Sequence, residues 1–218
     1  MTAKKKITQE QIISFYMDDM LSEETMTQSI YAFAKRHNFE ESEFYQFFNG
    51  FDHLKEEIFA AFGHNTIRMI QQSDAYQEYG TQQKLLSFYF TFFELLTANR
   101  SYVMAQLSGN KDKLSTLKLL GALRRVFVKY VEQLSVVSAD FKSDQLNKLR
   151  DKGVAESMWM QLLVTLKFWM DDRSKGFEKT DIFIEKSIKA GFDLMDIKPL
   201  KSIIDFGKFI LKEKVNFN

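Results

Sequence analysis

The segment SIYAFAKRHNFEESEFYQFFNGFDHL, residues 29–54, contains two short helical patterns separated by a turn. The first pattern ends at Arg36, and the second begins at Glu40 and is rich in aromatic residues. Asn38 lies between them and suits the left-handed backbone conformation of a tight turn. The segment therefore predicts a helix-turn-helix, with its second helix over residues 40–47.

A further helix is predicted before this segment. Thr8 and Gln11 have the spacing of a capping box, in which each side chain accepts a hydrogen bond from the other residue's backbone N–H. The helix that follows covers residues 9–21, and Ser29 opens the next one. Together with the turn, these patterns predict a head of three helices within residues 7–50.

A long helix is expected to connect this head to the rest of the chain. Asp52 is expected to cap that helix, which is predicted over residues 52–72. The chain then divides into a head over residues 1–50 and a larger helical domain over residues 73–218.

The larger domain also repeats its apolar residues at helical rather than strand spacing. The chain has 218 residues with one Pro and nine Gly, so few residues interrupt helices. We predict an all-α fold of nine or ten helices, with the polar segment 138–153 as a loop that contains at most one helical turn. The helices of the larger domain are predicted at residues 81–99, 112–135, 154–171, 178–195 and 199–214.

Composition and motifs argue against an enzyme. The chain has no Cys, which excludes disulfides and thiolate chemistry. No stretch has the spacing of a nucleophile elbow, a phosphate-binding loop or a dinucleotide fingerprint. The neighbouring carboxylates Asp18-Asp19 would point about 100° apart on a helix, so they do not form an acid–base pair. We expect neither catalysis nor a cofactor.

The three histidines do not predict a metal site. His53 and His64 would lie about 16 Å apart along one helix, and His37 is in the turn. Lysines near the N-terminus are not followed by an apolar run, so no signal peptide is predicted. The most apolar stretch, residues 158–170, is too short to span a bilayer. We therefore expect a cytoplasmic protein.

The charge of the head is unusual for a domain that binds DNA. Residues 1–70 contain seven Lys and Arg against eleven Asp and Glu, whereas residues 71–218 contain 23 against 18. Neutralisation of phosphates supplies most of the affinity for DNA, so a DNA-binding surface is expected to be basic. The head has the opposite sign.

The order and spacing of residues in the head resemble the tetracycline-repressor family. In that family a three-helix DNA-binding head is joined by a fourth helix to a larger helical domain that binds ligand and forms the dimer. The C-terminal part resembles the family only in the number and length of its helices. The residues that carry the resemblance are TQEQII at 8–13, Ser29-Ile30, Ala34, Arg36-x-x-Phe39, Phe44-Tyr45-x-x-Phe48 and Leu54.

The resemblance implies a DNA-binding surface, although the head departs from the family there. Glu40, Ser42 and Glu43 replace the small residues usual at the start of the recognition helix. Phe47 and Phe51 replace a usual His and Lys, while the apolar packing residues are retained. The residues that the resemblance implies at DNA are Ser29, Lys35, Arg36, Ser42 and Tyr45.

Two interpretations of these acidic residues remain open. A Glu near a helix N-terminus is favourable to the helix dipole by roughly 0.3–1 kcal/mol, so the acids can simply stabilise the helix on a solvated surface. Alternatively, a Glu can accept a hydrogen bond from N4 of cytosine. In that case the acids would also face the phosphates, which is costly.

A second resemblance concerns LKFWMDDRSKGFEKTDIFIEKSI, residues 166–188. Its aromatic-x-x-Asp-x-Ser turn followed by Phe-Glu-x-Thr is similar to that of the ubiquinone-biosynthesis accessory proteins, which use a tetracycline-repressor-like fold to bind lipid. Those proteins do not act through DNA, and a final amphipathic helix engages membrane. The last helix predicted here, 199–214, either packs on its own domain or lies on a membrane surface. The membrane alternative arises because the helix is terminal and net basic.

The strongest positive signal is aromatic. The chain has 22 Phe, and residues 81–99 are apolar nearly all round. Such a helix must be covered on every face by other helices, a partner chain or an apolar ligand. A Phe-rich core and a pocket for a fatty acyl chain or an isoprenoid both fit this pattern. The pocket would be lined by Phe88, Phe92, Leu96, Leu120, Phe127, Met158 and Leu162.

A homodimer is predicted through the helices at 154–171 and 178–195. The apolar residues of the first of these helices are not all expected to face one core, and a two-fold four-helix bundle would cover the remainder. The two sets are Val154, Met158, Leu162 and Trp169, and Trp159, Leu163 and Leu166.

Two functions from different classes therefore remain open. One is a ligand-responsive transcriptional regulator, in which an apolar effector changes the spacing of two heads and releases an operator. The other is a lipid- or isoprenoid-binding accessory protein that keeps the head as a scaffold and uses residues 199–214 at a membrane. Both need the apolar skeleton of the head.

Overall fold

The structure is a computed structural model that describes residues 6–22, 29–108, 113–134 and 144–196. This part of the chain contains eleven α-helices, one short 3-10 helix at Lys175–Phe177, and no strand. The all-α class is confirmed, with more helices than predicted. The helices are α1 Gln9–Leu21, α2 Ile30–Arg36, α3 Glu41–Phe44, α4 Phe51–Gln71, α5 Asp74–Glu78, α6 Thr81–Ala98, α7 Arg100–Ser108, α8 Lys113–Leu119, α9 Gly121–Leu134, α10 Asp144–Asp171 and α11 Glu178–Asp196.

The first two helices have the caps that the sequence predicts. The Thr8 backbone N–H donates to Gln11 Oε1 at 3.0 Å, and the Gln11 N–H donates to Thr8 Oγ1 at 3.3 Å. Ser29 Oγ accepts from the Ala32 N–H at 3.1 Å at the start of α2. Asn38 has a φ of 57°, the left-handed conformation predicted for the turn. The helix-turn-helix is therefore built from the local signals in its own sequence.

The prediction for α3 and for the start of α4 is partly wrong. α3 ends at Phe44 rather than residue 47, because the next N–H groups bond three residues back, as in a tight turn. Asp52 is inside α4, which begins at Phe51, so it is not the cap. Its carboxylate instead accepts from Lys55 Nζ at 3.0 Å on the helix surface.

Phe33 lies at the centre of the head. Its side chain is 0% exposed, and its ring contacts rings from every element around it. The ring centroids of Phe39, Phe51, Tyr16 and Phe44 lie 5.6, 5.8, 6.3 and 6.3 Å away, all in edge-on arrangements. Edge-to-face aromatic pairs contribute about 0.5–1.5 kcal/mol each beyond burial. One residue of α2 therefore joins α1, the turn, α3 and α4.

Three helical segments differ from the sequence prediction. The predicted helix 112–135 is divided into α8 and α9 near Gly121, which is a poor helix former. The short helices α5 and α7 were not predicted. The predicted loop 138–153 contains the first residues of α10, because a helix that is already nucleated extends easily through polar residues of good helix propensity.

The chain forms two compact units, and each unit combines two separate stretches of the sequence. The first unit contains Met1–Met69 and Phe92–Phe127, and the second contains Ile70–Thr91 and Val128–Asn218. The division into residues 1–50 and 73–218 stays a prediction. Despite the 28 residues of α10, no helix in the described segments is long and apolar enough to cross a membrane.

Tyrosine hydroxyls join three helices of the second unit. Tyr130 on α9 donates to the backbone carbonyl of Lys84 on α6 at 2.9 Å. Since this uses its only proton, Tyr130 accepts from the hydroxyl of Tyr76 on α5, 2.8 Å away. Burial and the bond from Tyr76 raise the pKa of Tyr130. The Tyr130 ring also stacks on Phe88 with centroids 5.0 Å apart, so α9 is fixed by both polar and apolar contacts.

Gly63 permits the close packing of α4 and α9 in the first unit. A Cβ at this position would lie 2.9 Å from Leu123 Cδ1 and 3.2 Å from Val126 Cγ1. We expect Gly63→Val to lower the free energy of unfolding by about 1–3 kcal/mol through overpacking. Urea denaturation followed by circular dichroism measures this change.

Gly153→Val is the matched control, because no atom lies within 4 Å of a Cβ at that helical position. We expect the control to change stability by no more than about 0.5 kcal/mol. Equal effects of the two substitutions would show that the α4–α9 packing is not tight at Gly63.

Candidate functional site

The predicted DNA-contacting residues lie on α2 and around α3. Ser29, Lys35, Ser42 and Tyr45 are exposed. Lys35 and Ser42 line the same groove between α2 and α3, a cavity of about 420 Å³. Tyr45 is 53% exposed at the end of α3. Arg36 is exposed as well, so all five predicted residues are accessible on the helix-turn-helix.

Tyr31 is a further exposed residue of this groove that the sequence reasoning missed. It is 60% exposed, and Lys35 Nζ lies 6.0 Å from the centre of its ring. The two residues are four apart on α2 and therefore share a face. The signal in the sequence was the position of Tyr31 outside the buried face that carries Phe33 and Ala34.

The acidic residues of α3 make local hydrogen bonds. Glu43 Oε2 accepts from the Glu40 backbone N–H at 2.9 Å, which satisfies a donor at the start of the helix. Tyr45 Oη donates to Glu41 Oε1 at 3.4 Å, a long bond on the surface. These contacts favour the interpretation that the acids stabilise the start of α3.

Arg36 is held by a buried carboxylate. Arg36 Nη1 donates to Asp19 Oδ2 at 2.5 Å, and His37 Nε2 lies 3.1 Å from Asp19 Oδ1. Asp19 is 6% exposed, and the ring of Phe15 stacks on His37 at 4.3 Å. Arg36 therefore joins the end of α1 to the turn, a role that the sequence analysis did not assign to it.

The seven predicted effector residues are all buried. Their exposures range from 0% to 5%. Phe92, Leu96, Leu120 and Phe127 belong to the first unit, and the other three belong to the second. None of the seven lines any of five surface cavities of 420–550 Å³ in the described part of the chain. The residues form core, and the effector pocket stays a prediction.

A buried polar network in the second unit was also missed. Tyr89 Oη on α6 has a single proton and two acceptors within reach on α10, Gln161 Oε1 and the Met158 carbonyl at 3.2 Å. Gln161 Nε2 donates to Ser187 Oγ on α11 at 2.8 Å and to Thr165 Oγ1 at 3.2 Å. Burial raises the pKa of Tyr89, which keeps its hydroxyl protonated as a donor. The signal was the one-turn spacing of Gln161 and Thr165 in an apolar helix.

The sequence argument for the dimer interface is wrong, because α10 is covered on two faces within one chain. Both sets of apolar residues contribute to its core, since α10 contacts α6 through Tyr89 and also packs on α11. The buried members, with their exposures, are Met158 5%, Leu162 1%, Trp169 0%, Trp159 4% and Leu166 5%.

A different apolar surface of α10 and α11 is exposed. Met160, Val164 and Ile182 are 59%, 55% and 50% exposed. Phe168 and Phe183 stack with centroids 4.5 Å apart and line two adjoining cavities of about 430 and 550 Å³. The predicted pair of helices therefore has an exposed apolar surface, formed by residues other than those expected at an interface.

The segment that carries the second resemblance is a helix-joining turn. Asp172 Oδ1 accepts from the backbone and hydroxyl of Ser174 at 2.8 and 2.7 Å, and Oδ2 accepts from those of Thr180 at 2.9 and 2.7 Å. Gly176 and Phe177 have φ values of 63° and 61°, and Phe177 contacts Trp169. The motif therefore has a structural role at the start of α11, whatever the protein binds.

Two further predictions concern metal and membrane. No group of three or more His, Cys, Asp or Glu that could hold a metal occurs within the described residues. The predicted last helix, 199–214, lies outside them, so the choice between packing and membrane contact stays a prediction.

Comparison with known families gives one match. The family model described as "Tetracyclin repressor-like, C-terminal domain" matches residues 84–210. No curated protein matches the chain. The match covers most of the predicted larger domain, for which the sequence resemblance rested only on the number and length of helices, and it does not include the head.

The hydrogen bonds of Asp172 generate a prediction about pH. Burial alone raises the pKa of this carboxyl, but the four bonds from Ser174 and Thr180 outweigh burial and lower it to about 2. Because the folded pKa is below the unfolded value of about 4, the stabilisation is complete above pH 4 and is lost as pH falls toward 2. We expect Asp172→Asn to unfold at lower urea than wild type at pH 7 and to show less loss of stability between pH 4 and 2.

Asp171→Asn is the control at the neighbouring position. Asp171 is exposed and pairs with Lys167 at 2.8 Å on the surface, so its loss is expected to cost no more than about 1 kcal/mol. The same urea midpoint and pH profile for both variants would rule out the special role of Asp172.

Proposed function

Because this chain belongs to the tetracyclin repressor-like family, we propose that it is a ligand-responsive transcriptional regulator whose head binds duplex DNA. The observation that carries the DNA-binding part is the geometry of the head. Ser29 caps α2, and Asn38 makes the left-handed turn. The acidic side chains of α3 accept hydrogen bonds within their own segment. The groove between the two helices is left exposed to a partner.

The proposed contacts are of two kinds: contacts with phosphates, which position the head on DNA, and contacts with base edges, which read the sequence. Ser29 and the first N–H groups of α2 suit a phosphate, and Lys35 supplies a charge on the same helix. Tyr31 lines the groove, and Tyr45 is exposed at the end of α3. Both hydroxyls can donate to phosphates, Tyr45 by exchanging its long bond to Glu41. We propose that Ser42, at the start of α3, reaches a base edge, because the second helix of a helix-turn-helix enters the major groove. Arg36 is left out of the proposed contacts.

Because the head is negatively charged, a single subunit is expected to bind DNA weakly. Affinity for DNA comes mainly from neutralised phosphates, and Asp19 already accepts from Arg36. We therefore propose that the protein acts as a homodimer, in which two heads contact two half-sites. The exposed apolar surface around Val164, Phe168 and Ile182 is the proposed interface. Such a regulator acts in the cytoplasm, where the DNA is.

The effector is proposed to be hydrophobic. The seven buried residues named for it are apolar without exception, and both units are rich in Phe and Leu. Met158 has a deformable side chain, which suits a site that opens around a ligand. An acyl chain or an isoprenoid is the class that such walls accept.

A lipid-binding accessory function without DNA is the second candidate. The net negative charge of residues 1–70 favours it, as does the engagement of Arg36 by Asp19. In this function the head serves as a folded scaffold, and lipid takes the place of the effector. Residues 199–214 would then contact a membrane.

The regulator proposal is tested by selection from random duplex DNA. We expect enrichment of a palindrome whose affinity for the protein falls steeply with salt, since the logarithm of the binding constant changes by about −0.9 per phosphate neutralised for each tenfold rise in salt. Lys35→Ala should reduce that slope by about 1. Lys35→Ala combined with Tyr45→Ala should abolish selection.

Lys129→Ala combined with Tyr79→Ala is the matched control, because both residues are exposed outside the head. Lipids that copurify are identified in parallel by mass spectrometry. If selection enriches nothing while a lipid copurifies, the accessory function replaces the regulator.

The dimer proposal is tested by sedimentation at micromolar concentration. We expect wild type to sediment as a dimer and Val164→Asp to sediment as a monomer, because a carboxylate at this exposed apolar position would be buried without a partner in the interface. Leu117→Asp is the control, since Leu117 is 48% exposed on α8. A dimer that survives Val164→Asp uses another surface.

A further inference from the structure

A groove in the first unit is walled by four helices. Tyr16 and Met20 on α1 lie one turn apart, and Lys118 and Leu119 lie on α8. The first turns of α4 and the middle of α7, at Ala105, form the other walls. Its volume of about 530 Å³ is in the range of small-molecule sites. It shares no residue with the predicted effector pocket or with the DNA-binding groove.

One tyrosine that lines this groove, and a second tyrosine that lies behind it in the core, have hydroxyls without hydrogen-bond partners among the described residues. Tyr16 lines the groove, and no described group bonds its hydroxyl. Tyr102 on α7 is 0% exposed, and its hydroxyl is a buried polar atom without a partner. Burial and the neighbouring Tyr16 raise the pKa of Tyr102, so the phenol stays protonated. Since Tyr16 lines the groove and its hydroxyl bonds no described group, a polar group that enters beside Tyr16 can form a hydrogen bond with it.

The charges that line the groove are one ion pair and two side chains without a pair. Asp52 accepts from Lys55 Nζ at 3.0 Å. Glu56 and Lys118 have no ion-pair partner in the described segments, and both line the groove. One unpaired acid and one unpaired base in the same groove match a ligand that carries both charges.

Apolar surface in the same groove gives the ligand a third point of contact. The Phe51 ring is half-buried and stacks on Tyr16 with centroids 5.4 Å apart. Leu119 on α8 is buried, and Met20 on α1 is 39% exposed; both line the groove. A flat or branched apolar group would be covered between these side chains, which favours binding by the area that it removes from water.

We propose that this groove binds a small zwitterion with an apolar side chain, of the amino-acid class, with its ammonium group at Glu56 and its carboxylate at Lys118. The apolar side chain lies against Phe51 and Leu119, and the polar atoms nearest Tyr16 bond its hydroxyl. The site uses α1 and α4, so a bound molecule ties α1 of the head to α7 and α8 of the same unit. It does not depend on DNA binding or on an apolar effector.

The test uses the full chain and three probes that differ in charge: L-phenylalanine, phenethylamine and 3-phenylpropionate. Binding is measured by isothermal titration calorimetry and by chemical-shift changes of the methionine methyl groups, which include that of Met20. We expect L-phenylalanine to bind, and the two singly charged analogues to bind at least about threefold more weakly, since each lacks one surface ion pair.

Variants identify the groove as the site. Glu56→Gln and Lys118→Met should each lower the affinity for L-phenylalanine by about threefold to fivefold. Glu94→Gln and Lys129→Met are the matched controls, because both residues are exposed and line none of the cavities described. Tyr16→Phe removes a hydroxyl that bonds no described group, so it should weaken binding while the melting temperature is retained.

Three outcomes would overturn the proposal. They are the absence of binding by L-phenylalanine up to its solubility limit, equal affinity for all three probes, and binding that Glu56→Gln and Lys118→Met leave unchanged. Failure of DNA selection bears on the regulator alone, because these measurements contain no DNA.

Discussion

The burial of the Phe33 ring is the constraint on which the head depends. Rings from α1, the turn, α3 and α4 all pack against this one side chain, so their positions are fixed by its shape. A smaller residue would leave a cavity lined by four elements at once, and such cavities are costly because the surroundings relax only in part. The turn at Asn38 follows from the same constraint, since it returns Phe39 to the Phe33 ring.

Buried hydrogen bonds have the corresponding role in the second unit. Apolar contacts alone tolerate small rotations of one helix on another, whereas a buried hydroxyl or amide must keep its partner. The Gln161 side chain on α10 accepts a hydrogen bond from Tyr89 on α6 and donates one to Ser187 on α11, so it joins three helices. Asp172 fixes the start of α11 in the same way. The register of α6, α10 and α11 is thus set by polar groups within a Phe-rich core.

Local signals in the sequence predicted the head well. The capping box at Thr8, the cap at Ser29 and the turn at Asn38 each depend on residues within three positions, and each is confirmed. The end of α3 was not predictable, because aromatic residues at 45–48 continue a helical pattern although the backbone leaves the helix. Gly121 could have indicated the break between α8 and α9, but its neighbours are strong helix formers.

The surroundings of the candidate site residues were harder to predict, because they depend on partners distant in sequence. Arg36 was assigned to DNA from its place in the family pattern, yet Asp19, seventeen residues earlier, holds it. The residues chosen for the dimer were apolar and helical, but which face a helix buries depends on how many neighbours cover it. The groove at Tyr16 and Lys118 joins helices about a hundred residues apart, which no local pattern contains.

The use of charge within the head links the proposed regulator to its dimer. Among the described residues of α2 and α3, Lys35 is the one cation that no acidic side chain pairs. A single head can therefore neutralise few phosphates, and its contacts rely on neutral donors such as Ser29 and Tyr45. Two heads on one duplex multiply these weak contacts, because the second binds at the high effective concentration that the first provides. In the proposed regulator, DNA recognition is therefore a property of the pair, and a ligand that altered the pair would alter recognition without touching the DNA-binding surface.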